Sequence, residues 1–245
     1  MLVSIVTVCY NSEKTIRKTI ESVLAQTYDQ VEYIIIDGAS KDNTVAVARE
    51  YEEKFREKGY KYRIVSEKDN GIYDAMNKGI RMAEGQLIGL VNSDDWYEPI
   101  TAEFVANTYR ETEFDVFYAD LNLVKEDGSI IVKRSKLDKF PSTRNWNHPT
   151  TFITKKTYNE QGMYRCQTLY DDFDLVLRMR KAGKKIVIRN VVLSNFRTGG
   201  VSNQKSLKKC LHRIKARYGC YRNNGYSPFY IFECVAMEVA KMILS

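Results

Sequence analysis

Runs of apolar residues alternate with amphipathic stretches through the first half of the chain. Four apolar, β-branched runs predict strands: "LVSIVTVCY", "VEYIIID", "YKYRIVS" and "QLIGLV". Between them, apolar positions recur at helical spacing over residues 13–26, 44–57 and 71–83, and Asn11 or Ser12 is placed to cap the first helix. This alternation predicts an α/β fold, with a mostly parallel central sheet and helices on both faces.

The alternation of predicted strands and helices is less regular in the second half. Helical spacing over residues 100–110 precedes the apolar run "DVFYA", and "LNLVKEDGSIIVKRS" predicts a hairpin that turns at Asp127 and Gly128. "TTFIT" and "KKIVIRNVVLSNF" predict further strands on either side of a helix over residues 171–182. The second half is therefore predicted to add strands in a less regular order.

Each strand of the first half ends in polar residues, at positions 10–11, 37–38, 67–71 and 92–95. Ligands of open α/β sheets bind beyond the carboxyl ends of the strands, so these clusters predict a binding site at that edge. A Rossmann dinucleotide site is not indicated, because "TVCYNSEKT" after the first strand contains no glycine.

Two adjacent carboxylates, Asp94 and Asp95, follow the fourth strand. They repel each other at the mouth of a buried strand unless a cation or a partner neutralises them. Mg²⁺ or Mn²⁺ prefers carboxylates, waters and phosphates, so a metal held by so few protein oxygens implies a phosphate-bearing ligand. The alternative is a solvated turn before a helix N-terminus, where acidic side chains are also favourable.

The net charge of +7 comes from one late segment. Eight Lys or Arg and no acidic residue lie between Arg197 and Arg222, and the remaining 30 basic residues nearly balance the 31 acidic ones. No nucleic-acid recognition motif accompanies this charge. Five cysteines without a CxxC pair favour a reducing compartment over a disulfide framework or a zinc site, and we find no signal peptide. We therefore expect a cytoplasmic protein.

Two long segments resemble a known family. "VSIVTVCYNSEKTIRKTIESVLAQTYDQVEYIIIDGASKDNT" and "DNGIYDAMNKGIRMAEGQLIGLVNSDD" are similar to family 2 glycosyltransferases, which have the GT-A nucleotide-sugar fold. The subgroup that they resemble most builds bacterial capsule and exopolysaccharide, as in colanic-acid-type transferases. The resemblance implies a GT-A domain over residues 1–200, with a nucleotide-binding half (1–98) and an acceptor half (99–200).

The resemblance also implies a function. Such an enzyme moves a sugar, with inversion, from a nucleotide diphosphate donor to a glycan or lipid-linked acceptor, and uses Mn²⁺ or Mg²⁺. We expect a UDP-sugar as the donor. A homodimer is compatible with the sequence.

Donor-binding roles follow from the same resemblance. Asp37 matches the carboxylate that accepts a hydrogen bond from a uracil N–H, and it is also placed to cap the turn before the second helix. "NSDD" covers the DxD motif with Asn92 in place of the first Asp; Asp94 then falls on the metal position, and Asp95 is either a second ligand or a residue that orients the first. Further positions implied for the nucleotide and donor sugar are Tyr10, Asn11, Asp74, Asn77 and Ser93.

Acceptor-side roles fall in the second half. "LYDDFDLVLRMRKAGKKI" resembles the family segment "EDYDLxLR", which implies that Asp172 is the general base, although Asp at a helix start is also an ordinary cap. His148 in "NWNHPTTF" matches a position that contacts acceptor or diphosphate, with a plain loop histidine as the alternative. Arg197 stands beside the paired glycines 199–200, a combination suited to a diphosphate.

Residues 201–245 predict a helical appendage. "KSLKKCLHRIKARY" is basic, and "SPFYIFECVAMEVAKMIL" is amphipathic but too charged and too short to span a bilayer. Such helices suit the surface of an anionic membrane, while docking on the protein's own core or on a dimer partner is the alternative.

Two rival functions remain open at this level. A sugar-1-phosphate nucleotidyltransferase would carry a glycine-rich, arginine-containing signature after the first strand, which "YNSEKT" lacks. A catalytically inactive nucleotide-sugar-binding or scaffold subunit is suggested by Asn92.

Overall fold

The computed structural model describes residues 1–198 and 207–244. Within them one sheet contains the strands β1 (Val3–Cys9), β2 (Val31–Asp37), β3 (Lys61–Ser66), β4 (Leu87–Leu90), β5 (Trp96–Tyr97), β6 (Val116–Val124), β7 (Ile130–Lys133), β8 (Phe152–Thr154) and β9 (Ile186–Arg197). The strands lie in the order β3-β2-β1-β4-β8-β6-β9-β5, and β7 pairs with β6.

Helices surround this sheet. Over the same residues they are α1 (Ile16–Leu24), α2 (Thr44–Arg49), α3 (Glu52–Glu57), α4 (Ile72–Met82), α5 (Thr101–Glu111), α6 (Lys155–Gln161), α7 (Asp171–Lys181), α8 (Leu207–Asn223) and α9 (Tyr230–Leu244). A short 3₁₀-helix covers His148–Thr150.

Strands β3, β2, β1 and β4 run parallel, as the alternating pattern predicts. Every residue of β1 and β2 is buried. Successive side chains point to opposite faces, so Val3 and Ile5 enter one core cluster while Val6 and Val8 enter another. The apolar runs of these strands are continuous because helices cover both faces.

The second half extends the sheet mainly by antiparallel pairing. β8 joins β4 to β6, and β9 runs parallel to β6 and antiparallel to β5. The predicted hairpin is confirmed: β6 and β7 pair, Gly128 has a φ of 82°, and the Lys125 N–H donates to the Ser129 carbonyl at 2.9 Å. The β5–β9 pairing places Trp96 opposite Asn195, which brings the end of β9 to the residues after β4.

Two local predictions are wrong. The single helix over residues 44–57 is divided into α2 and α3 at Tyr51, whose buried side chain donates through its hydroxyl to Glu21 at 2.7 Å. The predicted caps of α1 fail because the helix starts later, after Thr15, without a side-chain cap. Asn11 instead adopts a φ of 50° in the preceding loop.

One face of the C-terminal helices packs on the rest of the protein. Tyr221 of α8 and Cys234 of α9 belong to the same buried cluster as Phe173 of α7. A buried ion pair between Arg217 and Glu238 joins the two helices at 3.0 Å. The predicted boundary at residues 200–201 lies outside the described residues. In the described part of the chain, no helix has the length and apolar character needed to cross a bilayer.

Candidate active site

The loops after β1, β2 and β4 contact one another at the edge where the parallel strands end, called the carboxyl edge below. Ser12 Oγ and Ser93 Oγ lie 2.8 Å apart. The Asn11 backbone N–H donates to Ser40 Oγ at 2.8 Å, and its side-chain oxygen accepts the Lys41 N–H at 2.9 Å. Three of the predicted polar clusters are therefore held together at this edge.

Asp37 is fully buried at the end of β2. Its carboxylate accepts hydrogen bonds from the Ser40 N–H at 3.0 Å, from Ser66 Oγ at 2.6 Å and from Ser40 Oγ. These donors use most of the acceptor capacity of the carboxylate. In this structure Asp37 thus joins the loops after β2 and β3, and its contacts match the turn-capping alternative.

An accessible surface lies above Asp37. Tyr10 is 58% exposed, and Asp69 is half-buried. A Cβ on Gly38 would lie 2.5 Å from Asp69 Oδ2 and 3.5 Å from Tyr10 Cδ2, so any larger residue at position 38 would displace the Asp69 carboxylate. Asp69 Oδ1 accepts the Gly71 N–H at 2.9 Å, which leaves Oδ2 as an acceptor beside Tyr10.

The side chains of Asp94 and Asp95, the two acids after β4, lie in different environments. Asp95 is buried; its Oδ1 accepts the Arg197 backbone N–H at 3.0 Å, and Asn92 Nδ2 lies 3.4 Å from its Oδ2. Burial, and then the neighbouring Asp94, raise the pKa of Asp95 to about 8. Asp94 is half-buried, and its carboxylate has no hydrogen-bond or ion-pair partner among the described residues. The loop therefore turns one acid inward and leaves the other to a ligand.

The residues present fit a cation held by few protein atoms. Asp94 offers a carboxylate, and Asn92 Oδ1 is buried without a hydrogen-bond partner in the described part of the chain. Across residues 1–198 and 207–244, no three His, Cys, Asp or Glu side chains are grouped to hold a metal. A cation at this loop would take its remaining ligands from water and from phosphate oxygens of a bound molecule.

Two cationic side chains flank Trp96 beside this loop. Lys18 Nζ lies 3.2 Å and Arg197 Cζ 5.7 Å from the ring centroid. Arg197 is exposed, and its Nε donates to the Asp94 backbone carbonyl at 3.4 Å. Burial, and then Arg197, lower the pKa of Lys18. The paired glycines 199–200 lie outside the described residues.

Two predicted donor-site residues lie on α4, which starts after Gly71 with its φ of 112°. Asp74 remains half-buried and accepts the Asn70 N–H at 3.0 Å. Asn77 is buried; its amide donates to the Tyr164 carbonyl at 2.8 Å and accepts the Tyr164 N–H at 3.0 Å. Asn77 therefore fastens α4 to the loop before α7, whereas Asp74 is open to a ligand.

Three acids in the first turn of α7 have different surroundings. Asp171 is buried and accepts two backbone N–H groups of the preceding loop. Asp174 is also buried, with Arg165 at 3.1 Å and Asn224 at 2.7 Å as partners. Asp172 is only half-buried. Of the three, Asp172 is the most exposed.

Asp172 lies in a cluster of four other polar side chains, and its charge raises the pKa of each of them: Tyr73, His148, Tyr164 and Lys133. The Tyr73 hydroxyl donates to Asp172 Oδ1 at 3.0 Å, and Tyr164 Oη lies 3.0 Å from His148 Nε2. Burial lowers the pKa of His148. Burial also lowers the pKa of Lys133 to about 8, although its ammonium donates to two backbone carbonyls.

Four residues of these clusters were not predicted from the sequence. Tyr73 stands inside "GIYDAMNKG", but its partner Asp172 is 99 residues away. Tyr164 and Lys133 carry no local signal, since one lies in a loop and the other ends β7. Asp69 had a signal, because it belongs to the polar cluster after β3.

Comparisons with known proteins agree with this architecture. A family model described as Glycosyl transferase family 2 matches residues 4–171. The putative glycosyltransferase EpsH of Bacillus subtilis is 34% identical over 106 residues, covering 43% of this chain and 30% of that protein. The chondroitin synthase of Escherichia coli is 27% identical over 188 residues, which cover 74% of this chain and 27% of that protein. The chain thus spans less than a third of the length of the first relatives that it matches.

Solved structures confirm the GT-A fold. Residues 1–349 of S. aureus TarS, in complex with UDP-GlcNAc, superpose with a TM-score of 0.71 at 16% identity, covering 100% of this chain and 73% of that one. The mannosyltransferase PcManGT from Pyrobaculum calidifontis, in complex with GDP-Man and Mn²⁺, gives a TM-score of 0.70 at 14% identity. The superposition covers 99% of this chain and 74% of that one.

Proposed function

The chain belongs to glycosyl transferase family 2, and we propose that it transfers a sugar, with inversion, from a UDP-sugar to a glycan or lipid-linked acceptor. We assign this reaction to the synthesis of a bacterial surface polysaccharide. One observation carries the proposal: groups from both halves of the chain meet at the carboxyl edge. The β5–β9 pairing sets Arg197 against the acidic loop, and the Tyr73 hydroxyl joins α4 to Asp172.

The uridine is proposed to bind over Tyr10. A base stacked on this exposed ring would lie beside Asp69 Oδ2, the accessible carboxylate oxygen at that place, while Asp37 supports the loop from below. Asn11, directly after Tyr10, and Asp74 on α4 are assigned to the ribose and donor sugar. This arrangement replaces the direct base contact expected of Asp37, because the carboxylate of Asp37 already has three donors.

The diphosphate is proposed to lie between Asp94 and Arg197, together with Mn²⁺ or Mg²⁺. Asp94 would hold the cation with Asn92 Oδ1 in support, and Asp95 would hold the Arg197 backbone in place. When bound, the cation screens the charge that develops on the leaving diphosphate. The two terminal nitrogens of Arg197 have no partner in the described part of the chain, so they are available to phosphate oxygens.

Asp172 is proposed as the general base. It takes the proton of the acceptor hydroxyl while that oxygen forms a bond to the anomeric carbon. The bond from this carbon to the diphosphate breaks on the opposite face, and its electron pair leaves with the diphosphate, so the configuration inverts. His148, kept neutral near pH 7 by the burial that lowers its pKa, is assigned to acceptor binding.

We further propose that α9 contacts the inner face of the cytoplasmic membrane, where a lipid-linked acceptor is presented. Phe229, in the turn directly before α9, and Phe232 are 75% and 70% exposed and stack on each other at 6.5 Å, and Val235 and Val239 extend the same surface. Basic side chains of α8 are exposed nearby in the sequence, among them Lys215 and Arg222. A second copy of the chain is the alternative occupant of this surface.

Calorimetry with UDP and Mn²⁺, followed by a transfer assay, tests the proposal. We expect UDP to bind at least tenfold more tightly with Mn²⁺ than with EDTA, a difference of about 1.4 kcal/mol. UDP release from a panel of UDP-sugars should depend on an added oligosaccharide acceptor. Tight binding without turnover of any donor would support the second candidate, a binding subunit, which the substitution at Asn92 favours. Absence of UDP binding would overturn both.

A further inference from the structure

Tyr73 joins the helix of the donor side to the helix of the proposed base. It lies in the first turn of α4, directly before Asp74. Its hydroxyl is 3.0 Å from Asp172 Oδ1 on α7 and 3.1 Å from the Leu169 carbonyl. The hydroxyl therefore reaches the base and the loop that leads to it.

The ring of Tyr73 is fixed by its neighbours. It packs against Tyr164 with a centroid distance of 5.2 Å and an angle of 30° between the planes. Tyr164 is itself held through its backbone by both functions of the Asn77 amide. Burial, and then Asp172, raise the pKa of Tyr73, so the hydroxyl stays protonated and acts as a donor.

The two oxygens of Asp172 are used differently. Oδ1 accepts the Tyr73 hydroxyl at 3.0 Å and the Phe173 backbone N–H at 2.8 Å. Oδ2 has no hydrogen-bond partner among the described residues. A carboxylate anchored through one oxygen presents the other in a fixed direction, which is what proton transfer from a bound hydroxyl requires.

We propose that Tyr73 is a positioning residue for the transfer reaction: its hydroxyl anchors Oδ1 of Asp172 so that Oδ2 faces the acceptor hydroxyl. Because Tyr73 lies on the helix that carries Asp74, the position of the base depends on the helix that borders the donor. This inference rests on the proposed function. It assigns no proton transfer to Tyr73 itself, which remains neutral throughout.

Tyr73→Phe tests the inference because it removes the hydroxyl and keeps the ring that packs on Tyr164. We expect kcat to fall about tenfold, as for the loss of a hydrogen bond to a charged group, while the Kd for UDP changes less than about twofold. Tyr62→Phe is the matched control, since its hydroxyl also donates to a backbone carbonyl, that of Ala48 at 2.8 Å, but outside the site. It should leave kcat unchanged.

A double-mutant cycle separates positioning from a structural role. In an Asp172→Asn background, Tyr73→Phe should cause no further loss of residual transfer, because the anchored base is already gone. An equal loss in both backgrounds would overturn the inference, whether it came from unfolding or from another contact. A kcat of Tyr73→Phe equal to that of wild type would also overturn the inference. If wild type itself transfers no sugar, the proposed function fails first, and the inference falls with it.

Discussion

Asp95 accepts the backbone N–H of Arg197 at 3.0 Å, and this bond joins the acidic loop after β4 to the end of the last strand. The two residues are 102 positions apart in the chain. The bond turns Asp95 inward, where burial raises its pKa to about 8, and it leaves Asp94 facing the carboxyl edge. Repulsion within the Asp-Asp pair is reduced because the raised pKa of Asp95 favours its neutral form beside the Asp94 carboxylate.

Asp94→Asn and Asp95→Asn should accordingly differ. Removing the charge of Asp94 should weaken Mn²⁺-dependent UDP binding at least tenfold, or about 1.4 kcal/mol. Asparagine at position 95 can still accept the Arg197 N–H, as the protonated acid does, so the same affinity should change less than about threefold. Titration calorimetry measures both, with Glu126→Gln as an exposed acid control. Equal losses at 94 and 95 would mean that both acids bind the cation.

Asp172→Asn should lower kcat by about 10²–10⁴-fold, the usual contribution of a general base, with little change in UDP affinity. Asp174→Asn is the comparison, because Asp174 lies on the same helical turn but is bonded to Arg165 and Asn224. It should lower the melting temperature and leave kcat near that of wild type. Initial rates and thermal unfolding distinguish the two, and a catalytic loss confined to Asp174→Asn would reassign the base.

The strands of the first half could be predicted because the signal for each strand lies within its own residues. The apolar residues from Val3 to Val8 divide between two buried clusters, and a short β-branched run that is apolar on both faces favours a strand covered on both sides. The division of a helix at Tyr51 had no signal in the sequence; the structure shows there a buried side chain whose hydroxyl reaches Glu21 in another helix.

The candidate site could also be predicted only in part. Asp94 and Asp172 carry signals in their own segments, an acidic strand end and a family-like helix start. Arg197 was predicted from the glycines beside it, but its contact with Asp95, like the contact of Tyr73 with Asp172, joins residues far apart in the chain and has no local signal. Asp37 matched the family position, yet its burial and its three donors appear only in the structure.

Burial of Lys133 predicts a pH dependence of stability. Its pKa is lowered from 10.5 to about 8 in the folded protein, so between these values the folded state binds fewer protons than the unfolded chain. Relative to the Lys133→Met variant, the free energy of unfolding of wild type should therefore rise as pH increases from 8 to 10.5, by at most about 3 kcal/mol. Urea unfolding of both proteins across this range should show this relative rise. Lys136→Met, at an exposed site, should keep it.

The buried pair of Arg217 and Glu238 predicts a coupling between α8 and α9. Glu238→Gln should lower the free energy of unfolding by roughly 3–5 kcal/mol, because it removes the counter-charge of Arg217 and of Arg213, whose Nε lies 2.7 Å from the other carboxylate oxygen. Arg217→Met combined with Glu238→Gln should recover the part of this loss that comes from Arg217. Glu53→Gln, in an exposed ion pair with Arg56, should have no measurable effect. Additive losses in the double variant would show that the pair is not energetically coupled.

The exposed face of α9 predicts binding to anionic vesicles that weakens as salt increases. Phe229→Ser with Phe232→Ser removes two aromatic side chains, each of which gains roughly 1.5–3 kcal/mol when buried fully, so vesicle affinity should fall at least tenfold. Phe140→Ser, which is 67% exposed on another segment, is the matched control. Transfer to a water-soluble acceptor should be unchanged in both variants, since none of these residues contacts the proposed site. If the double variant instead converts a dimer to a monomer and binds vesicles like wild type, a second copy of the chain covers this face, and the membrane proposal is wrong.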